Sequence, residues 1–395
     1  MALPLYSPSF AADPRSAYRD MRDRHGTLIP VEIAPGVPAT LVTSYHAALQ
    51  VFGDPVHFPA DPRSWQARVA ADCPALPLLE WRPDALRATG EEHVRYRQAT
   101  IAGLDRIDPY TLRGTVERIA VSLINGFCES GSVDLLSHYA IPLTVEVFDG
   151  LFGFSPDIGK QAQTALSVLC NADEATAIER GNRMLVATMH EAVEAKRLIP
   201  AADLTSWLLE GPAALDETEL VQQLAMLYAT GTEPTWNLIA NTLLLMLTDD
   251  RFGGELRGGV LSIRDAIDDV LFTDPPIANW CVSFPRQPQI IEDVLLPEHQ
   301  PVLISLAACN NDPAVRGDRT GNRSHLAWGA GAHQCPARSV ATAIVQEALD
   351  QLLDALPDLE LAVPVTELRW RPSPFHRGPV AVPTVFPPSQ RLPFI

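Results

Sequence analysis

The chain has 395 residues, with 48 acidic against 30 basic side chains and a formal net charge of −18. That balance argues against nucleic acid as a partner, because phosphate binding runs on Lys and Arg, and it fits a soluble protein whose copies repel one another. The six cysteines, Cys73, Cys128, Cys170, Cys281, Cys309 and Cys335, are widely spread with no Cys-x-x-Cys pair, which argues against zinc and disulfide frameworks.

Residues 1–14 lack a charged start followed by an apolar core, so no signal peptide is expected. The longest apolar run, Leu238 to Leu247, is short and contains Asn241 and Thr242, so no membrane span is expected and a cytoplasmic location is the default. No linker, repeat or low-complexity block divides the chain, and residues 1–395 read as one domain. In chain order, Asp13 to Arg24 reads as a short amphipathic helix. Leu28 to Ile33 and Thr40 to Thr43 read as strands around a Pro35-Gly36 turn. Tyr45 to Phe52 is helical, and proline-rich irregular sequence runs from Pro55 to Trp81. From Glu91 to about Arg197 the pattern is mostly helical, with breaks at Ser130-Gly131, at Gly153 to Pro156 and at Pro200. Glu217 to Thr248 is a long helical stretch, with an interruption expected at Gly231 and Pro234. Ser262 to Phe272 is a helix stopped by Asp274-Pro275-Pro276, and Val282 to Ser305 holds short strand candidates. Pro336 to Leu356 is a long amphipathic helix with Pro336 expected in its first turn, and the tail is proline-rich and strand-like.

The most informative stretch is Trp328-Gly329-Ala330-Gly331-Ala332-His333-Gln334-Cys335-Pro336-Ala337-Arg338. Glycines let a backbone fold close around a large planar group. The cysteine lies just ahead of a helix start, where free N–H groups and the dipole favour a thiolate. A thiolate is a good soft ligand for haem iron. The stretch resembles the haem-binding loop of the cytochrome P-450 superfamily, Phe-x-x-Gly-x-His/Arg-x-Cys-x-Gly. Trp328 stands for the aromatic residue, Gly331 for the glycine, His333 for the basic residue and Cys335 for the iron ligand, while Ala337 replaces the last glycine. The order of helices with minor β pieces is similar to that superfamily from end to end. The resemblance implies a mainly α fold: a large helical domain with small β-sheets, and haem b (iron protoporphyrin IX) held between the central helix and the helix after the cysteine loop.

Other landmarks follow from the resemblance. In Glu91-Glu92-His93-Val94-Arg95-Tyr96-Arg97, His93 and Arg97 stand four apart and share a helix face. They resemble the pair that holds the haem propionates, a task suited to Arg because it grips a carboxylate with two hydrogen bonds. Arg286 lies near a third propionate position, with its spacing to Glu292-Asp293 off by about two residues. On the central helix, Thr230-Gly231-Thr232-Glu233-Pro234-Thr235 resembles Ala-Gly-x-Asp/Glu-Thr, in which the glycine opens a groove over the iron and the acid and threonine relay protons. Pro234 falls where the threonine belongs and has neither hydroxyl nor N–H. Two readings follow: either Thr232, Thr235 or a water held by Glu233 substitutes for the hydroxyl, or dioxygen activation is poorly coupled. The Glu-x-x-Arg pair is also missing. Asp269 and Phe272 occupy its places, and Asp269 is expected either to bond Arg316, Arg319 or Arg323 of the shortened loop that follows or to face water.

The resemblance implies a soluble bacterial-type haem-thiolate monooxygenase acting on a small, largely apolar molecule, with electrons from a ferredoxin- or flavodoxin-type partner. Pro234 and Phe272 point instead to a haem protein with impaired oxygen activation: a peroxygenase, a non-redox haem enzyme or a ligand-binding protein. A hydrolase or zinc enzyme has little support, since there is no Gly-x-Ser-x-Gly elbow and no His-Glu-x-x-His.

Overall fold

A single 32-residue helix, Glu217–Thr248, runs through the largest apolar cluster and organises the molecule. The computed structural model describes residues 2–172, 174–253, 261–315, 317 and 321–393. The main helices are α1 (Gly90–Leu104), α2 (Pro109–Phe127), α3 (Ile141–Phe152), α4 (Pro156–Cys170), α5 (Ala175–Leu198), α6 (Glu217–Thr248), α7 (Ile263–Thr273) and α8 (Arg338–Ala355). Their starts follow the capping rules. Asp108 and Ser155 accept from the first turns of α2 and α4, each with Pro at the next position. Asp216 and Glu219 close a reciprocal capping box on α6.

The α6 helix continues through Pro234 without the expected interruption. Proline removes the donor for the Thr230 carbonyl. The segment is buried on nearly all sides, however, by residues such as Trp236, Leu238 and Ile239, and tertiary packing of this kind holds a helix that local propensity would break. Helix α8 packs against both α2 and α6, and α5 packs against α4. It begins at Arg338 with Ala337 as its cap, so Pro336 precedes it rather than occupying its first turn.

The β structure is minor. Strands β1 (Leu3–Pro4), β2 (Leu28–Ala34), β3 (Val37–Val42), β4 (Asn279–Ser283) and β5 (Val302–Ser305) form one sheet in the order β1-β2-β3-β5-β4. The β2–β3 hairpin is antiparallel, and β3 pairs in parallel with β5. Ser132–Asp134, Pro383–Val385 and Glu360–Leu361 make a second sheet, and Gln289–Ile291 pairs with Val294–Leu296. The irregular stretch before α1 contains two four-residue helices, Arg63–Gln66 and Leu76–Leu79. Among the described residues no helix is long and apolar enough to cross a membrane.

Where the Glu-x-x-Arg pair is missing, two aspartates are held separately. Asp268 Oδ2 takes Arg323 Nε at 2.8 Å and Arg264 Nε at 3.2 Å. Asp269 Oδ2 takes Arg251 Nη2 at 2.7 Å. Of the expected partners, Arg323 therefore reaches the neighbouring carboxylate, while Arg316 and Arg319 lie outside the described residues. Phe272 packs edge-on against the buried His325 ring, 5.2 Å between centroids.

Candidate active site

A cavity of about 460 Å³ lies between the middle of α6 and the loop before α8. The loop is tightly closed: Gly329 N–H donates to the Leu326 carbonyl at 2.7 Å, and Cys335 N–H donates back to the Trp328 carbonyl at 2.8 Å. Gly331 has φ +67, and a Cβ there would stand 2.3 Å from the Phe52 carbonyl oxygen, so only glycine fits the turn. Trp328, Gly329, His333 and Cys335 all line the cavity.

Three cysteines share that wall: Cys170, Cys281 and Cys335. Burial pushes the Cys281 thiol up to about 12, with Cys335 adding to the shift, and pushes Cys170 well above the usual range. Burial also raises Cys335, but the Ala337 backbone N–H and the Arg97 charge oppose it. The helix start alone therefore does not leave the sulfur anionic, as its sequence position suggested, because burial outweighs the donor. Cys335 is the wall cysteine at which a backbone donor and a cation both favour the thiolate. A metal ligated there deprotonates the thiol outright.

Beside Cys335, α1 brings His93 and Arg97 to the loop. The His93 and His333 rings stack at 4.0 Å. Arg97 Nη2 donates to the Gln334 carbonyl, and burial lowers its pKa while Cys335 raises it. Arg97 has no carboxylate partner among the described residues, and His93 Nε2 and Trp328 Nε1 are buried without one. A half-buried cation with unused donors around it suits an anionic group entering this cavity, and a large planar group with carboxylate arms meets that need.

The expected site residues divide in the structure. Gly231, Glu233 and Thr235 line the cavity with Pro234. Thr232 does not; it is fully buried with its hydroxyl on the Tyr228 carbonyl at 2.6 Å, because helical spacing turns it to another face. The Thr235 hydroxyl is likewise committed, donating to the Gly231 carbonyl at 2.7 Å. Gly231 does more than open a groove: a Cβ there would stand 2.4 Å from the Phe148 ring, so the glycine lets α3 approach. Arg286 is displaced from the expected role. It does not line the cavity and instead bonds the buried Asp61 at 2.9 Å, next to Arg63. The irregular pairing between Trp280 and Ser283, followed by the Phe284 N–H bond to the Pro59 carbonyl, leads the chain away at that point.

Glu233 is held by two residues not singled out from the sequence. Arg371 Nη2 pairs with Glu233 Oε1, and His376 Nδ1 lies 3.1 Å from the same oxygen. Burial alone would raise the Glu233 pKa, but His376 and Arg371 overcome it and hold the carboxyl ionised. Both partners come from the proline-rich tail, where neither periodicity nor spacing marks them. A buried acid on a long central helix, needing a cation from elsewhere, was the available signal.

No family model matches the chain. It is similar to cytochrome P450 107B1 of Saccharopolyspora erythraea, 27% identical over 94% of this chain and 95% of that protein. It is also similar to the mycinamicin IV hydroxylase/epoxidase of Micromonospora griseorubida, 29% identical over 89% and 90%. Among solved structures, the tirandamycin C-bound P450 monooxygenase TamI superposes with a TM-score of 0.86 at 26% identity, covering 98% of this chain and all of that one. CYP154A1 of Streptomyces coelicolor shares the fold at a TM-score of 0.86 and 24% identity, over 98% of this chain and all of that one.

Proposed function

We infer that this chain, which belongs to the cytochrome P-450 superfamily and is a monooxygenase of that kind, acts on a small, largely apolar molecule. The observation that carries the reading is the cavity that joins Cys335 and its glycine-closed loop to Gly231 and Glu233 of α6, with Arg97 beside it having no carboxylate partner among the described residues. Haem b fits this space. Cys335 would ligate its iron, His93, Arg97 and His333 would hold the propionates, and Trp328 and Gly331 would shape the loop against it. Bound haem supplies the redox chemistry that splits dioxygen, and a thiolate ligand favours that cleavage. A redox partner of ferredoxin or flavodoxin type would deliver the electrons.

The protein's own residues set the surroundings of that chemistry. Apolar side chains such as Phe148, Leu166, Leu238 and Val340 line the cavity and exclude water from it. Glu233 Oε1 accepts from Arg371 and lies 3.1 Å from His376 Nδ1, which keeps the carboxylate charged and fixed. Its Oε2 takes no nitrogen or hydroxyl donor among the described residues, only the Cys170 thiol standing close to the carboxylate, and is the acceptor the acid can offer to the cavity. Thr235 is the hydroxyl next to Pro234, but its proton is given to the Gly231 carbonyl. Proton handling on this side therefore rests on Glu233, with Thr235 able to accept and to donate only by breaking its helix bond.

The test is turnover with a surrogate ferredoxin system under isotopically labelled dioxygen. Product carrying one labelled oxygen atom supports the reading. Product formed without label incorporation, or haem-loaded protein that oxidises nothing across a panel of macrolides, steroids and terpenes, argues against it.

A further inference from the structure

The cationic side chains on the cavity wall are almost all neutralised within the protein. Arg82 pairs with Glu80, Arg87 with the buried Asp84, and Arg371 with Glu233. Arg97 is the exception among the described residues, and it stands beside Cys335, where the proposed cofactor brings its own carboxylates. The space left for substrate thus has largely apolar walls, with the Arg82 and Arg87 pairs, Asn182 and Gln222 on one side and, at α6, the Glu233–Arg371–His376 cluster, in which the carboxylate and guanidinium charges cancel.

That cluster is rigidly built. The Phe375 carbonyl accepts from the Ala278 and Asn279 N–H groups at 2.8 and 3.1 Å, and His376 N–H donates to Ser373 Oγ at 3.0 Å. Arg371 Nη1 donates to the Cys170 carbonyl at 3.3 Å. The cluster presents both an acceptor, Glu233 Oε2, which takes no nitrogen or hydroxyl donor among the described residues, and donors, the remaining N–H groups of Arg371, with the weakly polar Cys170 thiol beside them. Charged ligands are disfavoured on either sign: a carboxylate meets the Glu233 charge, and an ammonium meets Arg371, in a desolvated place where charges act strongly. An apolar molecule with no polar group leaves the cluster stripped of water without compensation. A hydroxyl is the small neutral group that donates and accepts at once.

We propose that the Glu233–Arg371–His376 cluster is the substrate-orienting site of this enzyme and that its substrates are neutral apolar alcohols, bound with the hydroxyl donating to Glu233 Oε2 and accepting from Arg371. This rests on the monooxygenase reading above and adds the class of substrate. The probes are three molecules on one rigid skeleton: adamantan-1-ol, adamantane-1-carboxylate and trimethyl(1-adamantyl)ammonium, the last unable to ligate iron. Binding to the haem-loaded enzyme is measured by calorimetry at neutral pH.

The alcohol is expected to bind roughly tenfold or more tighter than either ion. Glu233→Gln removes the negative charge and leaves Arg371 and His376, so the carboxylate should gain at least about tenfold on the alcohol. Because Arg371 substitutions alone strand a buried acid and could prevent folding, the double variant Glu233→Leu/Arg371→Met replaces both members with apolar groups. It should weaken the alcohol by roughly fivefold or more, without the charge reversal of the single variant. Ions binding as tightly as the alcohol in the wild type, or alcohol affinity unmoved in the double variant, would overturn the proposal. The carbon monoxide spectrum of the same preparations separates the two levels. Absence of thiolate-ligated haem sinks the underlying reading, whereas an intact spectrum without alcohol selectivity sinks only this inference.

Discussion

The imidazoles of His93 and His333 lie 4.0 Å apart, centroid to centroid, with their planes tilted by 39°. One ring comes from the first turn of α1 and the other from the cysteine loop, so the contact joins two distant parts of the chain at the cofactor end of the cavity. Two imidazolium rings this close would repel, so the contact holds with no more than one of them charged. Burial pushes His333 down to about 4, with His93 and Arg97 adding, and burial and then Arg97 lower His93. Arg97 is thus the permanent cation of this corner.

Arg97→Leu tests what that cation is for. Removing an unpaired, half-buried charge relieves its desolvation, so the haem-free variant should be at least as stable to urea as the wild type. Its haem should transfer to apomyoglobin roughly tenfold faster or more, since a charge-assisted bidentate pair is lost. Lower stability with unchanged haem transfer would mean that Arg97 serves only the fold.

Gly331→Ala should damage the loop directly. The position needs positive φ, and the added methyl would meet a backbone carbonyl that cannot swing aside. A loss of roughly 2 kcal/mol or more is expected in chemical denaturation, together with weaker haem retention. Gly321→Ala is the control: it also has positive φ, +68, but none of the described residues comes within 4 Å of its Cβ position, so its cost should stay near 1 kcal/mol.

Asp149 gives a pH signature unconnected with the cofactor. It accepts from the Tyr228 hydroxyl at 2.9 Å, and burial raises its pKa from 3.8 to about 6, with Glu146 adding and Tyr228 opposing. A carboxyl whose pKa is higher in the folded state adds stability that is full below 3.8 and is lost as pH rises through about 6. Asp149→Asn cannot ionise and keeps that contribution. Its stability relative to wild type should rise between about pH 4 and pH 7, by at most about 3 kcal/mol before solvent screening. A difference that stays flat with pH, or that favours the wild type more as pH rises, contradicts the assignment.

Oxygen chemistry should be loosely coupled. Pro234 has no hydroxyl, and the Thr232 and Thr235 hydroxyls both donate to α6 carbonyls. Turnover with dioxygen and a reductase system should release a substantial share of its electrons as hydrogen peroxide, measured as reductant consumed against product formed. Tight one-to-one stoichiometry would show that another group delivers protons as well as a free threonine does.

Local patterns carried most of the architecture. The helix over Glu217–Thr248, the Ser262 cap and the strands flanking Pro35-Gly36 are legible because capping residues and turn residues act over a few positions. The cysteine loop is legible for the same reason, since Gly329, Gly331, His333 and Cys335 all lie within seven residues. What failed was long-range. The burial around Pro234 that keeps α6 whole, the turn of Thr232 away from the cavity and the capture of Arg286 by Asp61 are set by packing partners far away in sequence. Arg371 and His376 illustrate the same limit. Their role exists only because the tail folds back over α6, a fact with no periodic trace in Arg371-Pro372-Ser373-Pro374.

The most direct test of the central claim is the absorption spectrum of the reduced, haem-loaded protein under carbon monoxide, for the wild type and for Cys335→Ala. A strongly red-shifted Soret band in the wild type alone is the expected result, because it reports thiolate ligation of the iron and Cys335 would be the ligand. The same band in both proteins, or an ordinary histidine-type band in the wild type, would show that the iron is held by something other than Cys335.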